Sequence, residues 1–281
     1  MVDPDNIEAI TAWNTVLFDK FLRYRTQVSR GLTVHGERAI TSLLPRAGAR
    51  VVDLGCGFGD TALELARRVG PTGSVVGVDA AERYLDIART EIGALANLRY
   101  EALDLETRAP DGPFDLAFSR FGTMFFARPV IALRNIRRAL VPGGRLAMTV
   151  WRAKTANECF HLAEDAVRRV VGDPPKGDHI TCGPGPFSMA SADVVTDQLL
   201  SAGFTDVSLA RSDAPLCLGA TIAEAIELAL ELGPAGEVAR LAGLRAQRDQ
   251  VEVALAEIFR ALLGDSGVVA RSSAWIVTAT A

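Results

Sequence analysis

An apolar, β-branched run at residues 49–54 breaks at Gly55-Cys56-Gly57-Phe58-Gly59, three glycines at alternate positions that lead into a helical pattern. A buried strand that ends in such a turn and feeds a helix is one half of a βαβ unit. Glycine lets the backbone bend this tightly and pass close to a ligand. Thr61-Ala62-Leu63-Glu64 has the spacing of a capping box and predicts a helix start near Thr61, and Gly70-Pro71 ends that helix.

The plan then repeats. Residues 74–78 read as a second strand closed by Asp79, and Leu85, Ala88, Ile92 and Leu95 mark one face of the next helix. Strands follow at 98–103 and 114–119. A helix with apolar Val130, Leu133, Ile136 and Leu140 comes next, then a Pro142-Gly143-Gly144 turn and a fifth strand at 145–151. Strands alternating with helices imply a doubly wound, mostly parallel sheet. Beyond Trp151 the pattern loosens into helices at 156–171 and 191–202, with a Pro/Gly-rich stretch at 173–186 between them. A strand near 205–209, helices at 221–233 and 236–263, and an alternating strand at 268–280 complete the reading. The chain divides into a helical lid (1–33), a ligand-binding core (34–151), and an acceptor cap with sheet-completing strands (152–281).

Composition narrows the function. A chain of 281 residues, half of them apolar, can bury one large core with elaborations. A net charge of −4 without a basic run speaks against a nucleic-acid surface, which needs clustered cations to displace counterions. No run of about 18 uncharged apolar residues offers a membrane span. The acidic opening, Met1 to Asp5, is unlike a basic secretory leader and points to the cytoplasm. Four scattered cysteines without a CxxC pair, and no Asp/Asn/His cluster, give no ground for a metal.

A glycine turn alone is a weak signal. Asp79 at the end of the second strand strengthens it, because a carboxylate there can accept both hydroxyls of a ribose. A dinucleotide fingerprint would have Gly or Ala at position 60, where this chain has Asp60, and Asp53 lies two residues before the turn. A pyrophosphate would meet both carboxylates, whereas a cationic ligand suits them.

Val51-Val52-Asp53-Leu54-Gly55-Cys56-Gly57-Phe58-Gly59 resembles motif I of class I S-adenosylmethionine-dependent methyltransferases. Gly77-Val78-Asp79, Ala102-Leu103-Asp104-Leu105, Phe114 to Ser119 and Leu140 to Leu146 are similar to that family's later markers, in order. Ser119 to Phe126 points to the subgroup related to ubiquinone and menaquinone biosynthesis methyltransferases. The resemblance implies a Rossmann-like, doubly wound α/β fold with a seven-stranded, mostly parallel sheet, an antiparallel last strand and helical cap elements. Its cofactor would be S-adenosyl-L-methionine. Asp53 and Gly55 would hold the methionine end, Gly57 would allow close approach, Asp79 would bind the ribose, Asp104 with Leu105 would frame the adenine, and Cys56, Ala80 and Ser119 would also line the cofactor. Arg120, Trp151 and Tyr24 are the candidate acceptor contacts, although Arg120 can equally pair with a surface acid and Asp104 can simply cap a turn.

No NPPY or DPPY sequence follows the fourth strand, so a small-molecule acceptor methylated on O, N or C is favoured over a nucleobase. A hydroxyl acceptor would profit from a histidine base. A helix predicted at 34–44 would place His35 near the carboxyl ends of the strands, and His179, in the loop after strand five, can reach the same face; His161 is less well placed. The insert 221–264 either completes the acceptor cap or forms a homodimer surface. Two other classes compete: a non-catalytic S-adenosylmethionine-binding protein and an NAD-dependent oxidoreductase.

Overall fold

The computed structural model describes residues 6–93, 95–173, 183–243 and 247–281. Five parallel strands form the core of the sheet: β1 (Arg50–Leu54), β2 (Ser74–Asp79), β3 (Leu98–Ala102), β4 (Phe114–Arg120) and β5 (Leu140–Trp151). Two long strands, β6 (Thr205–Gly219) and β8 (Gly267–Thr280), extend it, giving the order β3-β2-β1-β4-β5-β8-β6 with β8 antiparallel to both neighbours. A two-residue strand, β7 (Leu263–Gly264), turns directly onto β8 and makes the sheet eight-stranded. The seven-stranded expectation holds for the main path; β7 is too short to show as an alternating pattern.

Alternation along the strands explains the layering. Val52 and Leu54 of β1 face a core shared with α6 (Pro129–Arg138) and α8 (Ala192–Ala202), while Val51 faces α3 (Arg25–Leu43) and α4 (Asp60–Val69). Strands buried on both faces read as near-continuous apolar runs, as β2 does and as β1 does apart from Asp53. Asp53 has the parity of Val51, so this one acid in the central strand points toward α3 and α4.

Several boundaries differ from the sequence reading. The helix predicted from Val34 starts at Arg25, so the proposed division between lid and core at residue 33 falls inside one continuous helix. Two shorter helices, α1 (Ile7–Asn14) and α2 (Val16–Arg23), precede it. The capping box at Thr61 does not form: α4 starts at Asp60 with Gly59 as its N-cap, at φ 80°, and Thr61 is buried inside the helix. The glycine turn delivers the chain into the helix one residue earlier than the side-chain pattern implied. Leu95 lies outside α5 (Glu82–Ile92), and Leu140 belongs to β5 rather than to α6.

The strand expected at 205–209 runs on to Gly219, because the β6–β8 pair extends past the last residue of β5, Trp151, which pairs with Ala274. That extension carries the insert α9 (Ile222–Glu231), α10 (Pro234–Leu241) and α11 (Arg248–Ala261). Together with α7 (Glu158–Val171), the insert closes a second core around Val251, Leu255, Phe259, Val167 and Leu228. Buried apolar residues of the insert are thus packed within this chain, while Val253 on α11 is exposed. Among the described residues no helix is long and apolar enough to cross a membrane.

Candidate active site at the glycine turn

The turn after β1 holds positive φ at Gly55, Gly57 and Gly59 (65°, 53° and 80°). A Cβ on Gly55 would stand 3.2 Å from the Cα of Gly122, so glycine is required there by crowding as well as by backbone conformation. The turn is pinned from two sides. The Cys56 N–H donates to the Val78 carbonyl at 3.0 Å, and the Ser119 hydroxyl donates to the Leu54 carbonyl at 2.9 Å. Ser119 is fully buried in doing so and struts β4 against β1. Cys56 is also buried, its sulfur close to the Cα of Gly77, and burial pushes its thiol well up.

Asp53 is 1% exposed. Its carboxylate accepts the Ala62 backbone N–H at the start of α4, yet Oδ2 has no hydrogen-bond partner. Burial raises its pKa to about 7; the Arg120 charge opposes that shift, and Asp79 and Asp60 add to it. An acid sealed from water with one oxygen unsatisfied is costly, and it suits a cationic donor.

Asp79 stands across the turn. Its Oδ2 accepts the Gly57 N–H and its Oδ1 the Ala81 N–H, both at 2.9 Å, and it is only partly buried, as is Ala80. Each oxygen keeps a lone pair for a further donor. Burial raises its pKa, against the pull of its backbone donors. Asp104 caps a turn after all: its Oδ1 accepts the Glu106 N–H at 2.9 Å and its carbonyl the Thr107 N–H at 3.0 Å. It also accepts the Asn6 side-chain amide at 3.5 Å, which brings the start of the N-terminal helices to this spot. Leu105 is buried in the main core, and its carbonyl takes the Asn135 amide.

The N-terminal helices lie over this turn. Phe18 packs on Tyr84 (ring centroids 5.0 Å apart) and on Phe58 (6.2 Å), and Trp13 packs on Phe21, Tyr84 and Phe125. Arg83 lies over the Phe18 ring and bonds the Asn14 carbonyl and Asp19, while Arg25 bridges Asp60 and Glu91. Sequence reasoning missed Phe58, Tyr84 and Asn6. Phe58 sits inside the glycine motif and Tyr84 beside the core position Leu85, so both were visible as positions but not as partners.

The acceptor candidates are less united. Arg120 runs along α3, its Cδ 2.8 Å from where a Cβ on Gly36 would sit, and its guanidinium lies 3.9 Å from Asp60. The reading in which it pairs with an acid is the one the structure shows. Tyr24 bonds Glu227 of the insert at 3.0 Å and packs in the second core, its pKa pushed up to about 12 by burial and then by Glu227. Trp151 is buried at the end of β5 against Phe121 (4.1 Å), Phe160 (5.2 Å) and His35 (5.8 Å). Phe121 holds φ 58°, a strained conformation for an aromatic residue, fixed by its N–H on Thr149.

His35 does lie level with the carboxyl ends of the strands, since its partner Ser212 pairs with Ala274 and so with Trp151. It is nevertheless fully buried, with Nδ1 on Ser212 (2.8 Å) and Nε2 on Ser272 (2.9 Å). Both ring nitrogens are committed, so it ties α3 to the β6–β8 pair and does not serve as an open base. Burial lowers its pKa to about 4, with Arg38 adding and Asp213 opposing. His35→Ala should cost about 2–4 kcal/mol at pH 7 through the cavity and the two lost ring hydrogen bonds, with Ser212 keeping Arg38 and Ser272 keeping the Ala214 carbonyl as partners. The unfolded chain takes up the imidazole proton near pH 6.5 and the folded one only near 4, so stability drawn from His35 falls as pH drops through that window. Urea titrations at pH 5 and 7 check this: the gap between wild type and variant should narrow at pH 5. His161 bonds the Asn157 carbonyl, and His179 lies outside the described residues. Among the described residues no group of three or more His, Cys, Asp or Glu could hold a metal.

Sheet order, glycine turn and the acid after β2 together define a class I methyltransferase fold. Residues 51–144 match the protein family described as Methyltransferase domain. Within that fold the chain is similar to the ubiquinone/menaquinone biosynthesis C-methyltransferase UbiE of Pseudomonas putida, 37% identical over 125 residues, which cover 43% of this chain and 48% of that protein. It is also similar to the demethylmenaquinone methyltransferase of Staphylococcus aureus, at 29% over 132 residues, 47% of this chain and 50% of the other. The chain thus spans about half the length of the curated relatives it matches. Among solved structures, YcgJ of Bacillus subtilis superposes with a TM-score of 0.52 at 18% identity, covering 89% of this chain and 97% of that one. The cyclase SpnF superposes at 0.50 and 20% identity, covering 87% and 79%. These likenesses establish the fold.

Proposed function

We propose that this protein is a cytoplasmic enzyme that binds S-adenosyl-L-methionine and transfers its methyl group to a small-molecule acceptor. The observation that carries this reading is the sealed, unpartnered Asp53 oxygen behind the glycine turn, with Asp79 across from it. These residues fit a ligand with an ammonium and a ribose, and the carboxylates of Asp53 and Asp79 on either side of the turn oppose a pyrophosphate, which disfavours an NAD-dependent oxidoreductase. Asp53 and the turn from Gly55 to Gly57 would hold the amino-acid end, Asp79 the ribose, and Asp104 and Leu105 the adenine, beneath a lid formed by α1 and α2. When bound, the cofactor supplies an electrophilic methyl on a sulfonium. Displacement there is already favourable, so the chain's task is to align the two reactants and exclude water, for which the aromatic lid is suited.

Isothermal titration with S-adenosylhomocysteine and with NAD tests the cofactor: micromolar binding of the first and none of the second is expected, and the reverse overturns the proposal. Turnover across a panel of phenols, amines and activated carbon acids then separates an enzyme from a non-catalytic binder. With His35 locked, His179 is the proposed proton acceptor for a hydroxyl substrate. His179→Ala should lower kcat at least tenfold, since general bases contribute about 10²–10⁴-fold, and leave S-adenosylhomocysteine binding unchanged. An unchanged rate assigns the acceptor to the amines or carbon acids.

A further inference from the structure

Tyr84 is the one residue of the aromatic cluster that carries a hydroxyl. It stands on the first turn of α5, and its ring is wedged between Phe58 of the glycine turn (4.7 Å between centroids) and Phe18 of the lid (5.0 Å). A Cβ on Gly57 would touch its ring at 3.9 Å, which puts the ring against the glycine that gives a ligand access to the backbone. The side chain is 5% exposed, and among the described residues its hydroxyl has no hydrogen-bond partner. Nothing in the packing needs that oxygen, since phenylalanine would fill the same space. A buried hydroxyl without a partner destabilises the chain, and its retention beside the glycine turn calls for an acceptor that arrives from outside.

We infer that the Tyr84 hydroxyl is a cofactor-binding group that donates a hydrogen bond to a ribose hydroxyl oxygen of the bound nucleoside. The inference rests on the S-adenosylmethionine reading above. Burial, and after it the charge of Asp79, raises the phenol's pKa, so the group stays protonated and can only help as a donor or weak acceptor. A ribose hydroxyl that gives its proton to Asp79 keeps two lone pairs, and Tyr84 supplies the matching donor. The pair would hold the ribose from both sides, a carboxylate taking its protons and a phenol donating to its oxygen. The same contact links lid and cofactor, because the Tyr84 ring is what Trp13 and Phe18 rest on.

Tyr84→Phe removes the oxygen and keeps the ring. By calorimetry, S-adenosylhomocysteine should bind the variant about 3–12-fold more weakly than wild type, the span of one net hydrogen bond. Against the 2′-deoxy or the 3′-deoxy form of that ligand, whichever lacks the contacted oxygen, variant and wild type should bind equally. The unliganded variant should be as stable as wild type or more so, since an unsatisfied group is gone. Affinity within twofold of wild type, an equal loss against both deoxy forms, or a less stable unliganded variant would each overturn the inference. Failure of the wild type to bind S-adenosylhomocysteine would instead bring down the cofactor reading itself, so the two failures are distinct.

Discussion

Asp53→Asn should make the unliganded protein harder to unfold at pH 8, by about 1–3 kcal/mol, while S-adenosylhomocysteine binds it at least tenfold more weakly. The stability half follows from burial. The folded-state pKa of Asp53 is about 7, far above that of a carboxylate in an unfolded chain, so between about pH 4 and 7 the native state keeps a proton that the unfolded state releases. Stability drawn from this group therefore falls as pH rises through that window. Asparagine, neutral and nearly the same shape, abolishes the fall while keeping an acceptor for the Ala62 N–H. The affinity half follows from the orphan Oδ2, which can answer the ligand's ammonium only as a carboxylate. Urea unfolding from pH 4 to 8 checks the first, with the gap opening upward from pH 4, and calorimetry checks the second. A variant less stable than wild type at pH 8 would show that Arg120 already neutralises Asp53. His35 acts in the opposite sense over much of the same range, so the effect is read from the difference between variant and wild type.

How much of this was legible beforehand can be judged residue by residue. The parallel core was, because strands buried on both faces leave apolar runs and the turn between β1 and α4 needs glycine at positive φ. The pairing of Asp53 and Asp79 around that turn was legible too, since parity and strand ends place both acids without any tertiary information. What could not be read was every contact made across the sheet by residues far apart in the chain. His35 was placed at the right level of the sheet, but Ser212 and Ser272, which take both of its nitrogens, are 177 and 237 residues away. Arg120 follows β4 as an acceptor contact would, yet Gly36 on α3 leaves the channel that draws it toward Asp60. Tyr24 reads as a candidate acceptor contact, and only the insert between β6 and β8 supplies its partner Glu227. The continuous strand β6 was cut short in the reading because Arg211-Ser212-Asp213 and Pro215 read locally as a loop, whereas pairing with β8 carries the strand through them to Gly219.

The largest loss of affinity should come from Asp79→Ala: at least a hundredfold for S-adenosylhomocysteine, or about 2.7 kcal/mol. Two effects add. The carboxylate would accept the ribose hydroxyls through charge-assisted hydrogen bonds, and each such bond is worth about 1.5–3 kcal/mol. It also fixes the turn it faces, by taking the Gly57 and Ala81 N–H groups, so alanine leaves two backbone donors without partners and lets the ligand's cradle relax. Asp79→Asn should do nearly as badly, because an amide offers one acceptor where two backbone donors converge and turns its own N–H₂ toward the other. Probing with 5′-methylthioadenosine, which has the ribose but no ammonium, separates the two acids. Asp79→Ala should weaken it as severely as S-adenosylhomocysteine, whereas Asp53→Asn should leave it within twofold of wild type. If Asp79→Ala binds either ligand within threefold of wild type, Asp79 is a scaffold for the turn only. If Asp53→Asn weakens both ligands alike, its oxygen serves the turn and not the ammonium.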